Sequence, residues 1–494
     1  MTDKVQRILN QDVNDVQGKD QISDMLLSNT IRNGIRQGKR REMKRRWMTY
    51  SIGAVATAVA VIIFLTILPP NTPTKVPDNK IKYTVVHTTP SDKEVDLERF
   101  QSDVETEFGL NTAIYKKLIT PIQRTVEYKG LKVDVIGSAS DGRRLYFLFT
   151  AQNNLDYAIS PHVESITFSD VKETTTGVIH LSTTSADGNQ IRPGDTEYYV
   201  YVANIIADTS NTNEATVRFS QYDSKNGYKN HFMFTVLINP NQLEDQQRIY
   251  YPKDSLVVDG QKIHIKKMQF TPLNTYLDLE YDSMNTKQIF KLLEPTLIGE
   301  KGTERKELNF LDSFYTTNRM LKETNKVTLI FHDNNLDKLN SMYVSLKVAG
   351  ISAVPKDKMK VSINIKEKKI VEAPDEHLKI VEPDTPAAEG EILLLHKLED
   401  VYAIEPTSMF HEFSYTDAEG KKYKLLNSTL KNSGGLSISK TEKLKNGNIE
   451  EYKAFNFGKE ALDYPQPLTV NIERYYNPIM ESQTVQLLLT NKNE

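Results

Sequence analysis

The sequence predicts a mainly β extracytoplasmic region of tandem antiparallel β-sandwich modules, joined through one transmembrane helix to a short α-helical cytoplasmic segment. Three observations carry this: 22 uncharged residues, 47–68, directly after a basic cluster; period-two apolar alternation through much of the chain beyond; and Asp-Gly and Asn-Gly pairs between the alternating runs. At 1.5 Å per residue, 22 residues are enough to cross a hydrocarbon core of roughly 30 Å, and a helix satisfies its own backbone groups there. Six of the eight residues before it, Lys39, Arg40, Arg41, Lys44, Arg45 and Arg46, are basic. Such a flank stays on the cytoplasmic side, with Trp47 suited to the inner headgroup level. Residues 1–46 are therefore expected inside and 69–494 outside. A cleaved secretory signal fits poorly, because the leader is long and Ile67-Leu68-Pro69-Pro70-Asn71 lacks a small-residue cleavage pattern.

Within 1–46, Val5, Ile8, Leu9, Val13 and Val16 fall on one face of an α-helix that Gly18 interrupts. A second helix starting at Asp20 or Ser23 places Ile22, Leu26, Ile31 and Ile35 on one stripe, with Leu27 at its border. Two helices this short cannot bury both stripes well by themselves. A self-contained hairpin, a lipid surface or a groove on another cytoplasmic protein would each cover them.

The exterior is too long for one core, and residues 69–110 read as a spacer whose prolines favour an extended connection. Residues 1–46 carry 11 basic and 6 acidic side chains, whereas 71–494 carry 51 and 59. A mildly acidic exterior has little electrostatic support for a nucleic-acid partner. The chain has no cysteine, which excludes disulfides, thiolate metal sites and cysteine nucleophiles.

A helix is expected near 111–124, and strands dominate afterwards. Three pairs of alternating runs share an offset of 17 residues. Val217 and Phe219 precede Phe234 and Val236; Val344, Leu346 and Val348 precede Val361, Ile363 and Ile365; Leu468, Val470 and Ile472 precede Val485, Leu487 and Leu489. The recurring offset suggests one terminal strand pair used three times. Tyr128-Lys129-Gly130-Leu131-Lys132-Val133 is matched 130 residues later by Val258-Asp259-Gly260-Gln261-Lys262-Ile263, and Gly390 stands a further 130 along. Three β-sandwich modules are therefore expected, at 111–240, 241–368 and 369–494. Their turns are marked by Asp141-Gly142, Asp187-Gly188, Asn226-Gly227, Asp259-Gly260 and Asn446-Gly447.

Nothing outside spells catalysis or a cofactor. The nine histidines are scattered without metal-ligand spacing, and most are expected at the surface. His411-Glu412 and Asp333-Asn334-Asn335-Leu336-Asp337 read as polar surface and a turn, and no nucleophile elbow or phosphate-binding loop occurs. The aromatic groups Tyr198-Tyr199-Val200-Tyr201, Tyr250-Tyr251 and Tyr475-Tyr476 are expected mainly in core positions. No enzyme activity, metal or cofactor is expected.

At Ile31-Arg32-Asn33-Gly34-Ile35-Arg36-Gln37-Gly38-Lys39, followed by the basic cluster, one span and a β-rich exterior, the chain resembles a family of single-pass Firmicute membrane proteins. That domain family is of unknown function, and its members are often encoded beside extracytoplasmic-function sigma factors. The resemblance implies an anti-sigma-like regulator whose inner helices hold a sigma factor at the membrane while the exterior senses envelope state or a ligand. The segment has neither His nor Cys, so sigma contact through a zinc site is not expected. Shedding by a protease near 69–80 is the expected release step, because a single helix transmits poorly as a lever. The rival expectation is a membrane-tethered envelope scaffold without a sigma partner.

Overall fold

The computed structural model describes residues 81–101, 108–168, 176–181, 190–205, 213–223, 227–315, 325–331, 343–398, 409–410, 414–430, 439–444 and 448–488. The expected inner helices and the 47–68 span lie outside the described residues. No helix among the described residues is long and apolar enough to cross a membrane. The described chain is mainly β, and its sheets are antiparallel apart from one short parallel pairing between Thr84–Val85 and Phe232–Met233.

The first group is a four-stranded sheet in the order Thr84–Val85, Gly227–Leu237, Glu214–Asp223, Ser160–Phe168. It faces a six-stranded sheet in the order Thr89–Pro90, Thr120–Tyr128, Leu131–Ser140, Arg144–Asn153, Thr196–Asn204, Thr176–Leu181. Val133, Val135, Phe147, Phe149, Tyr199 and Tyr201 meet Val163, Ile166, Val217, Phe219, Phe232 and Phe234 between them. The six-stranded sheet is covered on its other face as well, where Leu110, Ala113 and Ile114 pack on Tyr146, Leu148, Val200 and Val202. Its central strands are therefore apolar on both sides, as buried strands must be.

The covering helix is shorter than the expected 111–124. It runs Phe108–Tyr115 and closes at Lys117, which takes φ 56° while the Leu118 N–H bonds the Ala113 carbonyl at 2.7 Å. Pro121 and the β-branched Thr120, Ile122, Thr125 and Val126 then favour extended chain, and Arg124 falls in a strand.

In the second group a nine-stranded sheet and the three-stranded sheet Lys287–Leu293, Gly350–Pro355, Pro478–Ile479 share one core. In the third, a six-stranded sheet containing Lys360–Asn364 and Leu468–Arg474 shares a core with the four-stranded sheet Leu378–Val381, Glu391–Leu398, Ile449–Asn456, Ser439–Lys443.

The repeat of 130 residues is visible in the backbone of the first two groups. Lys129-Gly130 (φ 46° and 80°) and Asp259-Gly260 (φ 49° and 70°) both turn with positive φ, closing the pairs Tyr128↔Leu131 and Val258↔Gln261. The register then slips between Val135 and Gly137 in one and between Ile265 and Lys267 in the other. Gly390 also has positive φ, 80°, but the strands beside it, Leu378–Val381 and Glu391–Leu398, are not joined by a two-residue turn.

The expected terminal strand pairs form only in the first group, where Val217 pairs with Phe234. In the other two the partners are exchanged. Val361 and Ile363 pair with Val470 and Leu468, and Val344 and Leu346 pair with Leu487 and Val485. Strand Gln483–Leu487 thus returns from the end of the chain to the second core, while Lys360–Asn364 crosses into the third, ahead of the boundary expected near 368. Where the two crossing segments run side by side, Ala353 N–H bonds the Asn477 carbonyl at 3.1 Å and Asn477 Nδ2 bonds the Ala353 carbonyl at 3.0 Å. Alternation specifies which face of a strand is buried; it does not name the neighbour.

Candidate functional site

The outer face of the four-stranded sheet carries ionisable and aromatic side chains, and two β-bulges shape it. On one edge the ladder runs His162↔Ser220, Val163↔Phe219, then Ser165↔Arg218, so Glu164 is the extra residue. On the other it jumps from Lys229↔Gln221 to Phe232↔Phe219, so that Asn230 and His231 together stand against the single Ser220, with Asn230 at φ 53°. Bulges re-aim side chains and are frequent beside functional sites. Here they bring Glu164 and His231 together, with His231 Nδ1 2.7 Å from Glu164 Oε1. Tyr83, just before the first strand, donates its hydroxyl to Glu164 Oε2. Its ring stands edge-on to His231 at 5.8 Å, and the Arg218 guanidinium lies 5.7 Å from its centre. Beside them His162 packs on Tyr228 at 4.9 Å, and Tyr228 on Tyr222 at 5.1 Å.

Burial pushes the Glu164 carboxyl up, but the hydrogen bonds from Tyr83 and His231 outweigh it and hold the group below its ordinary range. Burial, then the bond to Glu164, pushes the Tyr83 hydroxyl up, so it stays a donor. Burial pushes the His162 ring down, and Glu164 offsets only part of this. Glu164 is thus a carboxylate with both oxygens engaged by the chain itself.

Two other histidines sit against carboxylates. His264 lies between Ser255 Oγ, 3.2 Å from Nδ1, and Asp282 Oδ2, 2.8 Å from Nε2. Ser255 and His264 are direct cross-strand partners, and neighbours at ladder spacing tie strands together in this way. His396, 2% exposed, bonds Glu451 at 3.2 Å and stacks on Tyr475, whose hydroxyl donates to Asp375 at 3.0 Å. The expectation that histidines lie mainly at the surface holds for His87 and His377. His162, His231 and His264 are half-buried and His396 is buried. A carboxylate partner is what lets the last three leave water. Among the described residues no group of three or more His, Asp or Glu side chains is arranged to hold a metal ion.

Of the expected aromatic groups, Tyr199, Tyr201, Tyr475 and Tyr476 are buried, whereas Tyr198, Tyr250 and Tyr251 are half-buried. The expected partner-binding stripe Val5, Ile8, Leu9, Val13, Ile22, Leu26, Ile31 and Ile35 lies outside the described residues. So do Lys39, Arg40, Arg41, Lys44, Arg45, Arg46 and Trp47, and the turns at 333–337 and 411–412. The Tyr83, Glu164 and His231 cluster is not predicted by the sequence pattern. Its one local signal is His162-Val163-Glu164, in which two ionisable residues flank a core valine.

No protein-family model matches the chain, and no curated protein does. Among solved structures the chain is similar to one titled the crystal structure of the conserved domain protein from Bacillus anthracis. The two are 16% identical, with a TM-score of 0.36, over 56% of this chain and 92% of that chain.

Proposed function

We propose that the protein is a single-pass, anti-sigma-like membrane regulator with tandem β-sandwich modules outside and a helical segment inside. The inner helices hold an extracytoplasmic-function sigma factor through Val5, Ile8, Leu9, Val13, Ile22, Leu26, Ile31 and Ile35, and the exterior governs its release in response to envelope state. The observation that carries the reading is the order of parts: two amphipathic stripes, six basic residues among 39–46, an uncharged run of 22 and a β-built remainder. The basic run sets direction across the bilayer, and the stripes need a partner to be buried. The mainly β exterior, whose ionisable face is engaged with itself, suits a regulated module better than a catalyst.

Residues 1–46 used as bait should retain a sigma factor from a lysate of the source cells. Leu26→Asp or Ile35→Asp should abolish capture, because each buries an unpaired charge in the contact. No capture at micromolar bait overturns the reading. A tethered scaffold is the second reading, favoured by the exchanged strands that bind the second and third groups into one body. It requires membrane retention without sigma capture.

A further inference from the structure

The described exterior is braced at its internal junctions. Arg143, from the first group, holds Asp278 of the second with two bonds of 3.0 and 2.7 Å and bonds Thr328 at 2.8 Å. Tyr276 and Thr271 donate to the buried Asp141 at 2.8 and 2.7 Å. The exchanged strands lock the second group to the third. Motion between groups is therefore a poor carrier for a signal directed at residues before 81.

The first described segment is held differently. Thr84–Val85 makes a two-residue parallel pairing, extended by Val86 N–H to the Met233 carbonyl at 2.9 Å. Val85 is 61% exposed. Thr89–Pro90 pairs only with Thr125 and Arg124. Side-chain anchorage comes from Tyr83 on Glu164, backed by His231 and Arg218, from Thr84 Oγ1, 2.9 Å from the Tyr128 hydroxyl, from Thr89 Oγ1 on the Thr125 carbonyl and from the partly buried Val86 against the first core.

We propose that residues 82–90 form a releasable strap, latched to the four-stranded sheet by the Tyr83, Glu164 and His231 clamp and freed when the Glu164 carboxylate is protonated. The ionisable groups on the strap are Lys82, Tyr83 and His87, and those on the strands around it are Arg124, Glu127 and Tyr128 on Thr120–Tyr128, His162 and Glu164 on Ser160–Phe168, Glu214, Arg218, Tyr222 and Asp223 on Glu214–Asp223, and Tyr228, Lys229 and His231 on Gly227–Leu237. In the closed state the bond from Tyr83 helps to hold Glu164 below its ordinary 4.5. The closed latch therefore binds fewer protons than the open one as pH falls through that range. Acid favours opening below 4.5, through Glu164. The strap lies beyond the expected span in sequence, so its release would add residues 82–90 to the chain between that span and the sheets and uncover the edge of Gly227–Leu237. That consequence rests on the proposed signalling reading; the latch itself does not.

Hydrogen exchange measured by mass spectrometry on the purified full chain, corrected for intrinsic rates, reads strap opening between pH 7.5 and 4. Tyr83→Phe and Glu164→Gln should each speed exchange of residues 82–90 roughly tenfold at pH 7.5, the effect of losing one hydrogen bond to a charged group. The wild type should approach the variants as pH falls below 4.5, with Glu164→Gln nearly flat there. Tyr83 lies on the strap itself, so Tyr83→Phe leaves the sandwich core intact. Equal rates in wild type and both variants overturn the latch, as does a strap that exchanges only together with Glu214–Asp223. If the strap opens in acid while residues 1–46 keep their sigma factor, the latch stands and its coupling to sigma release fails; if residues 1–46 capture no sigma factor, the signalling reading fails and the latch stands.

Discussion

Truncating Leu487, close to the end of the chain, should loosen the second group and leave the third closed. Leu487 is 2% exposed and opposite Val344 in the second core, where Leu→Ala costs about 3 kcal/mol through lost transfer energy and the cavity left behind. At 1.4 kcal/mol per tenfold, that is roughly a hundredfold faster exchange through openings of this core. The reciprocal change is Ile363→Ala, which lies nearer in sequence to the second group but is buried in the third core; its cost of about 3 kcal/mol should fall there. Segment-resolved hydrogen exchange separates the two. Leu487→Ala should deprotect Gln261–Phe270 and Thr275–Tyr281, and Ile363→Ala should deprotect Glu391–Leu398 and Ile449–Asn456. Because the two sites sit in separate cores, their effects should add. If Leu487→Ala deprotects Glu391–Leu398 and Ile449–Asn456 while the second group keeps its protection, the exchange of strands is refuted.

Gly350→Ala should destabilise the same returning segment by about 1–3 kcal/mol in chemical denaturation, since the added Cβ would stand 2.1 Å from the Ile479 carbonyl oxygen. Arg143→Gln should cost about 3 kcal/mol, because it strands the half-buried Asp278 carboxylate, and should split a single thermal transition into two in calorimetry. Burial raises the Asp278 carboxyl, but Arg143 and Thr328 together hold it below its ordinary 3.8. Its contribution is therefore full above that value and lost as pH falls through the depressed one, so the wild-type advantage over Arg143→Gln should shrink in unfolding measured from pH 5 to pH 2.

Much of the β architecture was legible because its signals are local. Lys129-Gly130 and Asp259-Gly260 announce the hairpins they form, since tight turns between twisted strands need positive φ. The alternation at Val344, Leu346 and Val348, or at Leu468, Val470 and Ile472, marks residues that are indeed buried. The helix expected at 111–124 is cut short by the segment after it, where Pro121 and a β-branched run prefer a ladder.

The Glu164 clamp was not legible. It joins Tyr83, Glu164 and His231 from three segments of the chain, and what brings them together is a pair of bulges whose positions depend on register with Glu214–Asp223. Sequence by itself determined the strand content, the buried faces, the repeated hairpin and the charge step expected to set direction across a membrane, because each is written within a few neighbouring residues. Only the tertiary structure decided which strand lies beside which and which ionisable groups meet. A period of two is the same for every partner, and the choice among partners is made by the packing of whole sheets.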